Sequence, residues 1–412
     1  MTKTSEAYLD IVWKQFKKNR FALAALWALA PLAMIALFAP VIASDQPFVY
    51  HSADEVLFPW FLALFHPSET VDFAFNMAML AFVPWAVLAV ALNAWWRRRE
   101  TPGRVRAMRV AGLAVLLVAA ANGLFLIPGV APANPHSHRP FVEEEYGNPD
   151  ARGYYAIIPY GPLDQERGSA FQPPGYRKPA AERARVSEWF PHLLGTDDSG
   201  RDVFVRMLYS TRISLTIGFL AVAIYLSIGI VMGALAGYFG GITDMLISRV
   251  IEVILLFPSF FLILTLVAMI GPSIYMIMVV IGLTGWPGIA RLIRGEVLKQ
   301  RGNDYVAAAR ALGASHARVL FRHILPNALA PALVAAPFGV AGAIVTEAGL
   351  SLLGFGVRMP TPTWGVLLQL GNSNYYYWWL IVAPSIAIFF TVTVFNLIGS
   401  GLRDAMDPRL RM

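Results

Sequence analysis

The residues able to do chemistry are few, and most are acids or histidines. Two carboxylates fall within long apolar runs, Glu252 near the inner end of one and Glu347 toward the outer end of another. A carboxylate is costly to place in hydrocarbon, so each is a candidate for a functional contact or a polar partner. Glu347 could meet an amino group on a translocation path, or it could be a structural partner for nearby polar groups. Glu252 suits a local pair with Arg249 or with a loop arginine. His136-Ser137-His138 could ligate a metal, but two histidines are an incomplete ligand set. Asp197, Asp198 and Ser199 lack the ligand series and terminal Glu of a calcium loop; capping of a helix beginning near Arg201 is the better account. No histidine falls deep in an apolar run, which argues against a Ser/His enzyme within the bilayer. The chain also lacks G-x-x-x-x-G-K-[ST], so it has no phosphate loop with which to hydrolyse ATP.

The most organised polar stretch is 303–326, NDYVAAARALGASHARVLFRHILP. It predicts two short helices and a hinge. Asp304 is expected to cap the first helix, whose Ala-rich body Tyr305–Leu312 favours helix. Gly313 fits the left-handed position that closes a helix. Ser315 should cap the second helix, and Pro326, without an N–H, should stop it. Val319, Leu320 and Ile324 share an apolar side, while His316, Arg318, Arg322 and His323 are polar. Such a hairpin is shaped to be held by another protein; a solvated connection between spans is the other reading.

The elements that position these residues are read from composition. Of 412 residues 57% are hydrophobic and 14% charged. That leaves too little polar surface for a soluble globule and implies a polytopic membrane protein. The net charge of +7 sits beside apolar runs, which fits membrane orientation and not nucleic-acid binding. The absence of cysteine excludes disulfides and thiolate ligands. The first apolar run lacks a small-residue cleavage site and reads as a retained anchor. Residues 1–20 suit a basic amphipathic helix on the cytoplasmic membrane surface. Spans are expected at Phe21–Ala43, Phe73–Trp96, Val110–Ile127, Ile213–Tyr238, Met245–Ile270 (kinked at Pro258), Pro272–Ala290, Ala328–Leu353 and Leu380–Ile398. Val56–Phe65 is too short to cross. Residues 128–190 read as an external, loop-rich segment, with Glu143–Glu145 a solvated run. Arg206 and Arg212 would lie on the external side, on an amphipathic helix in the outer interface. Gly229, Gly233 and Gly237 make one smooth helix face for close packing, within the chain or between chains. Arg97, Arg98, Arg99, Arg104, Arg106 and Arg109 mark the inside most strongly.

The 303–326 stretch resembles the "EAA" coupling loop of ABC-transporter permeases, with Ala308, Ala309, Gly313, Leu325 and Pro326 in the matching places. Ala307 stands where that pattern has its Glu. GTDDSGRDVFVRMLYSTRISL, GYFGGITD, RVIEVILLFPSF, TEAGLSLLGFGV with TPTWG, and GLRDAMDPR resemble the second membrane subunit of oligopeptide/dipeptide-type importers, over residues 194–412. The resemblance implies an all-α polytopic protein: a six-span type I importer core plus an extra pair of spans. The domains would be an N-terminal helix (1–20), a first span (21–43), an inserted region (44–190) with extra spans at about 73–96 and 110–127, a core (191–402) with coupling loop 291–326, and a tail (403–412). The implied coupling residues are Asp304, Ala307, Ala308, Ala309, Arg310, Gly313, Ala314, Leu325 and Pro326. The implied partners are a second permease, two cytoplasmic ABC ATPases, an extracytoplasmic solute-binding protein and membrane lipid. No cofactor is expected on this chain; ATP and Mg would belong to the ATPases. The implied location is the bacterial inner membrane, with both termini cytoplasmic. An ion-driven secondary transporter is the rival reading, but it needs midplane carboxylates and usually paired broken helices, whereas few acids lie deep in the spans and internal repeats are not apparent.

Overall fold

The computed structural model describes residues 8–52, 55–99, 103–125, 127, 130–134, 141–148, 150–183 and 189–406. His136 and His138, weighed as metal ligands and found an incomplete set, lie outside them. Among the described residues seven single helices are long and apolar enough to cross a membrane, and a bent pair makes an eighth.

α1 (Tyr8–Phe16) and α2 (Arg20–Ile42) meet at Asn19, whose Oδ1 accepts from the Ala22 N–H at 3.1 Å. The first helix, expected on the membrane surface, also makes contacts within the chain. Val12 and Phe16 pack on Ala22 and Ala405 near the end of the last helix, so part of the apolar face has a protein partner. Trp13 stays exposed, with the Lys17 ammonium 5.1 Å from its ring centroid.

The stretch after α2 holds β1 (Val49–His51), β2 (Val56–Leu57) and the short α3 (Pro59–Ala63), none long enough to span. α4 (Thr70–Arg98) and α5 (Gly103–Phe125) then form the expected extra pair. α4 leans on α2; α5 packs on α4, and no residue of its apolar stretch is fully buried within the chain. Sequence periodicity missed a small sheet. β1 lies between β2 and β3 (Arg152–Tyr154), both antiparallel, with Tyr50 opposite Leu57 and Gly153. Strands this short carry no readable period. Tyr50 is buried edge-on against Phe141 of α6 (Phe141–Gly147), which contains the acidic run expected to be merely solvated.

α7 (Val203–Phe239) departs most from expectation. Asp202, not Asp197–Ser199, caps it by accepting from the Val205 N–H at 2.8 Å. There is no separate interfacial helix. At 1.5 Å per residue α7 is roughly 55 Å long, more than a ~30 Å hydrocarbon core, so it must extend beyond the hydrocarbon. Arg206 and Arg212 are buried against other protein, which resolves their apparent conflict with the charge rule.

α8 (Gly241–Leu256) and α9 (Ser259–Ile270) are bent by 85°, so the expected kink at Pro258 is a full break. Arg249 and Glu252 pair at 2.7 Å, as the local reading anticipated. α10 (Ile274–Arg301) does not end at Ala290 but carries Arg291, Arg294, Lys299 and Arg301 as helix. The glycine stripe of α7 packs on α10 within the chain. A Cβ at Gly233 would stand 2.5 Å from Ala290 O; those at Gly229 and Gly237 would meet Ile289 and Arg294 O at 2.7 and 2.8 Å. Helix α14 (Ala330–Leu352) follows the hairpin described below, with α15 (Trp364–Ser373) and α16 (Trp379–Met406) after it.

Candidate functional site

The hairpin joining α10 to α14 is built of α11 (Asp304–Ala311), α12 (His316–Arg318), a wide π turn (Val319–Ile324) and α13 (Leu325–Ala328). Asn303, not Asp304, occupies the position before α11. Its backbone is extended and its carbonyl accepts from the Val306 N–H at 3.0 Å. Its side chain donates to Gln300 instead, and Asp304 is already helical. Gly313 has φ +77°, the left-handed value its position required. The Gly313 N–H donates to Arg310 O at 2.9 Å and that of Ala314 to Ala309 O at 3.1 Å, closing α11. Ser315 Oγ accepts from the Arg318 N–H at 3.4 Å, as expected of a cap.

Pro326 does not stop the chain's helical course. The π turn passes the Leu325 N–H back to Leu320 O, and Pro326 then sits in the first turn of α13. A missing N–H costs little in a first turn.

One side of this hairpin is rooted in the main core. Val306, Val319, Leu320 and Ile324 are all buried there. The other side is presented outward. Ala307, Ala308 and Arg310 are exposed, Ala309 and Ala314 half-buried, and Leu312 is 88% exposed at the tip, with Phe321 at 58%. Side chains at the end of α7 tie the hairpin to it. Tyr238 shares a 2.9 Å hydrogen bond with His316 Nδ1, and the Arg310 guanidinium lies 5.4 Å from the Tyr238 ring centroid. The root is tied to α8 by Arg294, which donates to both carboxylate oxygens of Asp244. Sequence reasoning missed Leu312 and Tyr238. A lone leucine before a hinge glycine was the available signal for the first; pairing at a separation of 78 residues left none for the second.

At the opposite end of α7 a buried polar layer seals the chain. His192 Nδ1 is 2.7 Å from Asp202 Oδ2 and its Nε2 is 2.8 Å from Glu166 Oε2. The ring stacks on Tyr160 at 4.6 Å. Burial opposes its charge, but the hydrogen bonds to Asp202 and Glu166 outweigh burial and push the imidazole up to about 9. Burial likewise raises Glu166, but the bonds from His192 and Ser169 win and hold it below its ordinary value. A raised folded value means the His192 contribution is full below its ordinary 6.5 and is lost as pH rises through about 9. Thermal stability of the purified chain should therefore fall over that window, and a His192→Gln variant should fall less. Equal slopes would show that the imidazolium contributes nothing.

Beside this layer Asp197 accepts from the Ser199 and Arg201 N–H groups and from Arg201 Nε, so it orders a turn. Arg206, fully buried, has a guanidinium nitrogen 3.5 Å from the same carboxylate. Glu347 is 1% exposed, and its Oε1 accepts from Ser351 Oγ at 2.7 Å and Thr363 Oγ1 at 2.8 Å. Thr363 in turn caps α15 by accepting from the Val366 N–H. The carboxylate thus links α14 to the start of α15 through Thr363.

Residues 229–412 match the family described as "Binding-protein-dependent transport system inner membrane component", and residues 7–63 match "N-terminal TM domain of oligopeptide transport permease C". The chain is 42% identical over 223 residues to the dipeptide transport system permease protein DppC of Alkalihalophilus pseudofirmus, covering 53% of this chain and 73% of that one. It is 40% identical over 221 residues to the glutathione transport system permease protein GsiD of Pectobacterium atrosepticum, covering 53% and 73%. To the oligopeptide transport system permease protein OppC of Bacillus subtilis it is 41% identical over 222 residues, covering 53% and 72%.

Proposed function

The chain belongs to the binding-protein-dependent transport system inner membrane component family, and on that premise we propose that it forms a translocation pore for peptides with a second permease subunit. It is a permease subunit of the peptide ABC-importer type and not an enzyme. In the proposal, hairpin 303–326 couples it to two cytoplasmic ATPases, which hold ATP and Mg, and a solute-binding protein delivers substrate at the other face. Both chain termini then lie on the hairpin side, in the cytoplasm. Relatives named for dipeptides, glutathione and oligopeptides support a peptide substrate without selecting its length. Residues 191–402 serve as the core, and 44–190 as an inserted region whose first part, to residue 63, still falls within the N-terminal family match.

The observation that carries the coupling reading is the hairpin's two-sidedness. Its apolar root moves with the membrane helices, while Leu312 and the alanines of α11 are offered outward. Burying an exposed leucine contributes about 1.5–3 kcal/mol, enough to be a docking anchor. Closure of the ATPases would push this rigid lever, and Arg294–Asp244 would pass the motion to α8. Glu347 is assigned a structural role, given its two hydroxyl partners. Affinity purification of the native assembly tests the proposal. A P-loop ATPase and a second permease should co-purify, with peptide uptake driven by ATP. Uptake driven by an ion gradient without any ATPase would favour the secondary-transporter reading instead.

The missing motif acid gives a sharper check. Ala307 is exposed, so Ala307→Glu should fold normally and keep its ATPase. Loss of the ATPase on co-purification of that variant would put the docking face elsewhere on the hairpin.

A further inference from the structure

The inserted α4–α5 pair has a feature that peptide transport does not use. Between Trp95 and Val110, WWRRRETPGRVRAMRV carries six arginines and one acid. The Arg99 guanidinium lies 3.9 Å from the Trp95 ring centroid, and that of Arg109 lies 5.3 Å from the Trp96 ring centroid. Between the two helices at this end is a groove of about 340 Å³, lined by Val90, Asn93, Gly103, Arg106 and Val110. Arg106 is half-buried in it, and its Nε is out of solvent with no hydrogen-bond partner. Beyond the groove the helix pair is apolar and bare. Val83 and Val87 of α4 and Val115 and Leu116 of α5 are all exposed.

Each part has one natural complement. Guanidinium groups bind phosphate in bidentate fashion, and tryptophans at a helix end sit at headgroup depth. An exposed apolar face alongside them suits acyl chains, and basic pockets between spans bind anionic headgroups. We propose that this end of the inserted pair binds an anionic phospholipid. Its phosphate lies in the groove at Arg106, flanked by Arg99 and Arg109, and its chains lie along α4 and α5. The inserted spans thereby gain a specific lipid anchor at the membrane surface. Free phosphate offers the same headgroup chemistry but nothing for the apolar face.

The test uses the full chain, purified in detergent and stripped of lipid. Phosphatidylglycerol, phosphatidylcholine or inorganic phosphate is added, and retained lipid and melting temperature are measured. Phosphatidylglycerol should be retained and should raise the melting temperature above that in phosphatidylcholine. The triple variant Arg99→Gln, Arg106→Gln, Arg109→Gln should retain it at least about tenfold less well. Should that variant melt early in phosphatidylcholine, Arg106→Gln alone carries the test, with a smaller loss in the same direction. Equal retention of the two lipids by the wild type overturns the proposal, and so does undiminished retention by the variant used. Stabilisation by inorganic phosphate to the full extent given by phosphatidylglycerol makes this a soluble-anion site and overturns it as well. None of these readouts involves uptake, so failure here leaves the transport reading untouched.

Discussion

Replacing Gly313 by proline is expected to abolish ATP-driven uptake while the chain still inserts and folds. The backbone at Gly313 has φ +77°, and proline is locked near −65°. No atom lies within 4 Å of a Cβ built there, so the lesion is conformational and involves no clash. Proline also removes the N–H that closes α11 onto Arg310 O. The chain must then leave α11 in a different direction, which re-aims Leu312. The root residues Val306, Val319 and Leu320 sit in the core on either side of the hinge and can stay in place. Gly313→Ala separates the two effects. It keeps the N–H and costs only about 1–2 kcal/mol for a non-glycine residue in the left-handed region, so it should retain part of the uptake. Uptake in membrane vesicles, with ATPase retention on purification and membrane yield measured alongside, distinguishes the cases. Undiminished uptake by the proline variant would remove the hairpin from the coupling role.

The hinge was legible because it is local: glycine, serine cap and apolar spacing all act within a few residues. The eight spans were legible for a similar reason, since length and hydropathy alone decide whether a helix can cross lipid. What could not be read was set by partners distant in sequence. Arg206 and Arg212 were placed in an outer interface because nothing near them in sequence reveals that α7 starts at Val203 and buries them. The sheet was missed because Val49–His51 finds its second partner at Arg152–Tyr154. Asp304 and Pro326 failed differently. Each was given its commonest role, and each was displaced by a neighbour: Asn303 took the extended position before the helix, and the π turn made room for the proline. Glu347 was read as an acid needing a partner, and only the fold could supply Thr363 as one.

Arg212→Met, in the core helix α7, is expected to be the single change that most weakens the hold of the core on the inserted region. α2 contains Pro40, which has no N–H to give to the carbonyl four residues back. That carbonyl is Ala36 O, and Arg212 Nε donates to it at 2.6 Å. The same guanidinium donates to Leu37 O at 3.1 Å, beside the kink at Phe38, and to Asp72 at 3.1 Å and Asn76 at 2.9 Å on α4. One fully buried cation thus repairs a break in the first span and fastens the inserted pair to the core. Removing one member of a buried ion pair costs about 3–5 kcal/mol, because the other charge is left without its counterion. Methionine is close in length but leaves Asp72, Asn76 Oδ1 and two backbone carbonyls without this donor. Asp72→Asn alone keeps an acceptor for the guanidinium and should cost less. The double variant should be more stable than the sum of the singles implies, because it no longer strands a carboxylate. Thermal unfolding of all four proteins completes the cycle, and limited proteolysis reports whether α4–α5 has come loose. Strict additivity would show that Asp72 and Arg212 do not stabilise one another. In that case the α4–α5 pair must be held by contacts other than this ion pair, among them its packing on α2 and α7 and the Thr361–Glu69 hydrogen bond.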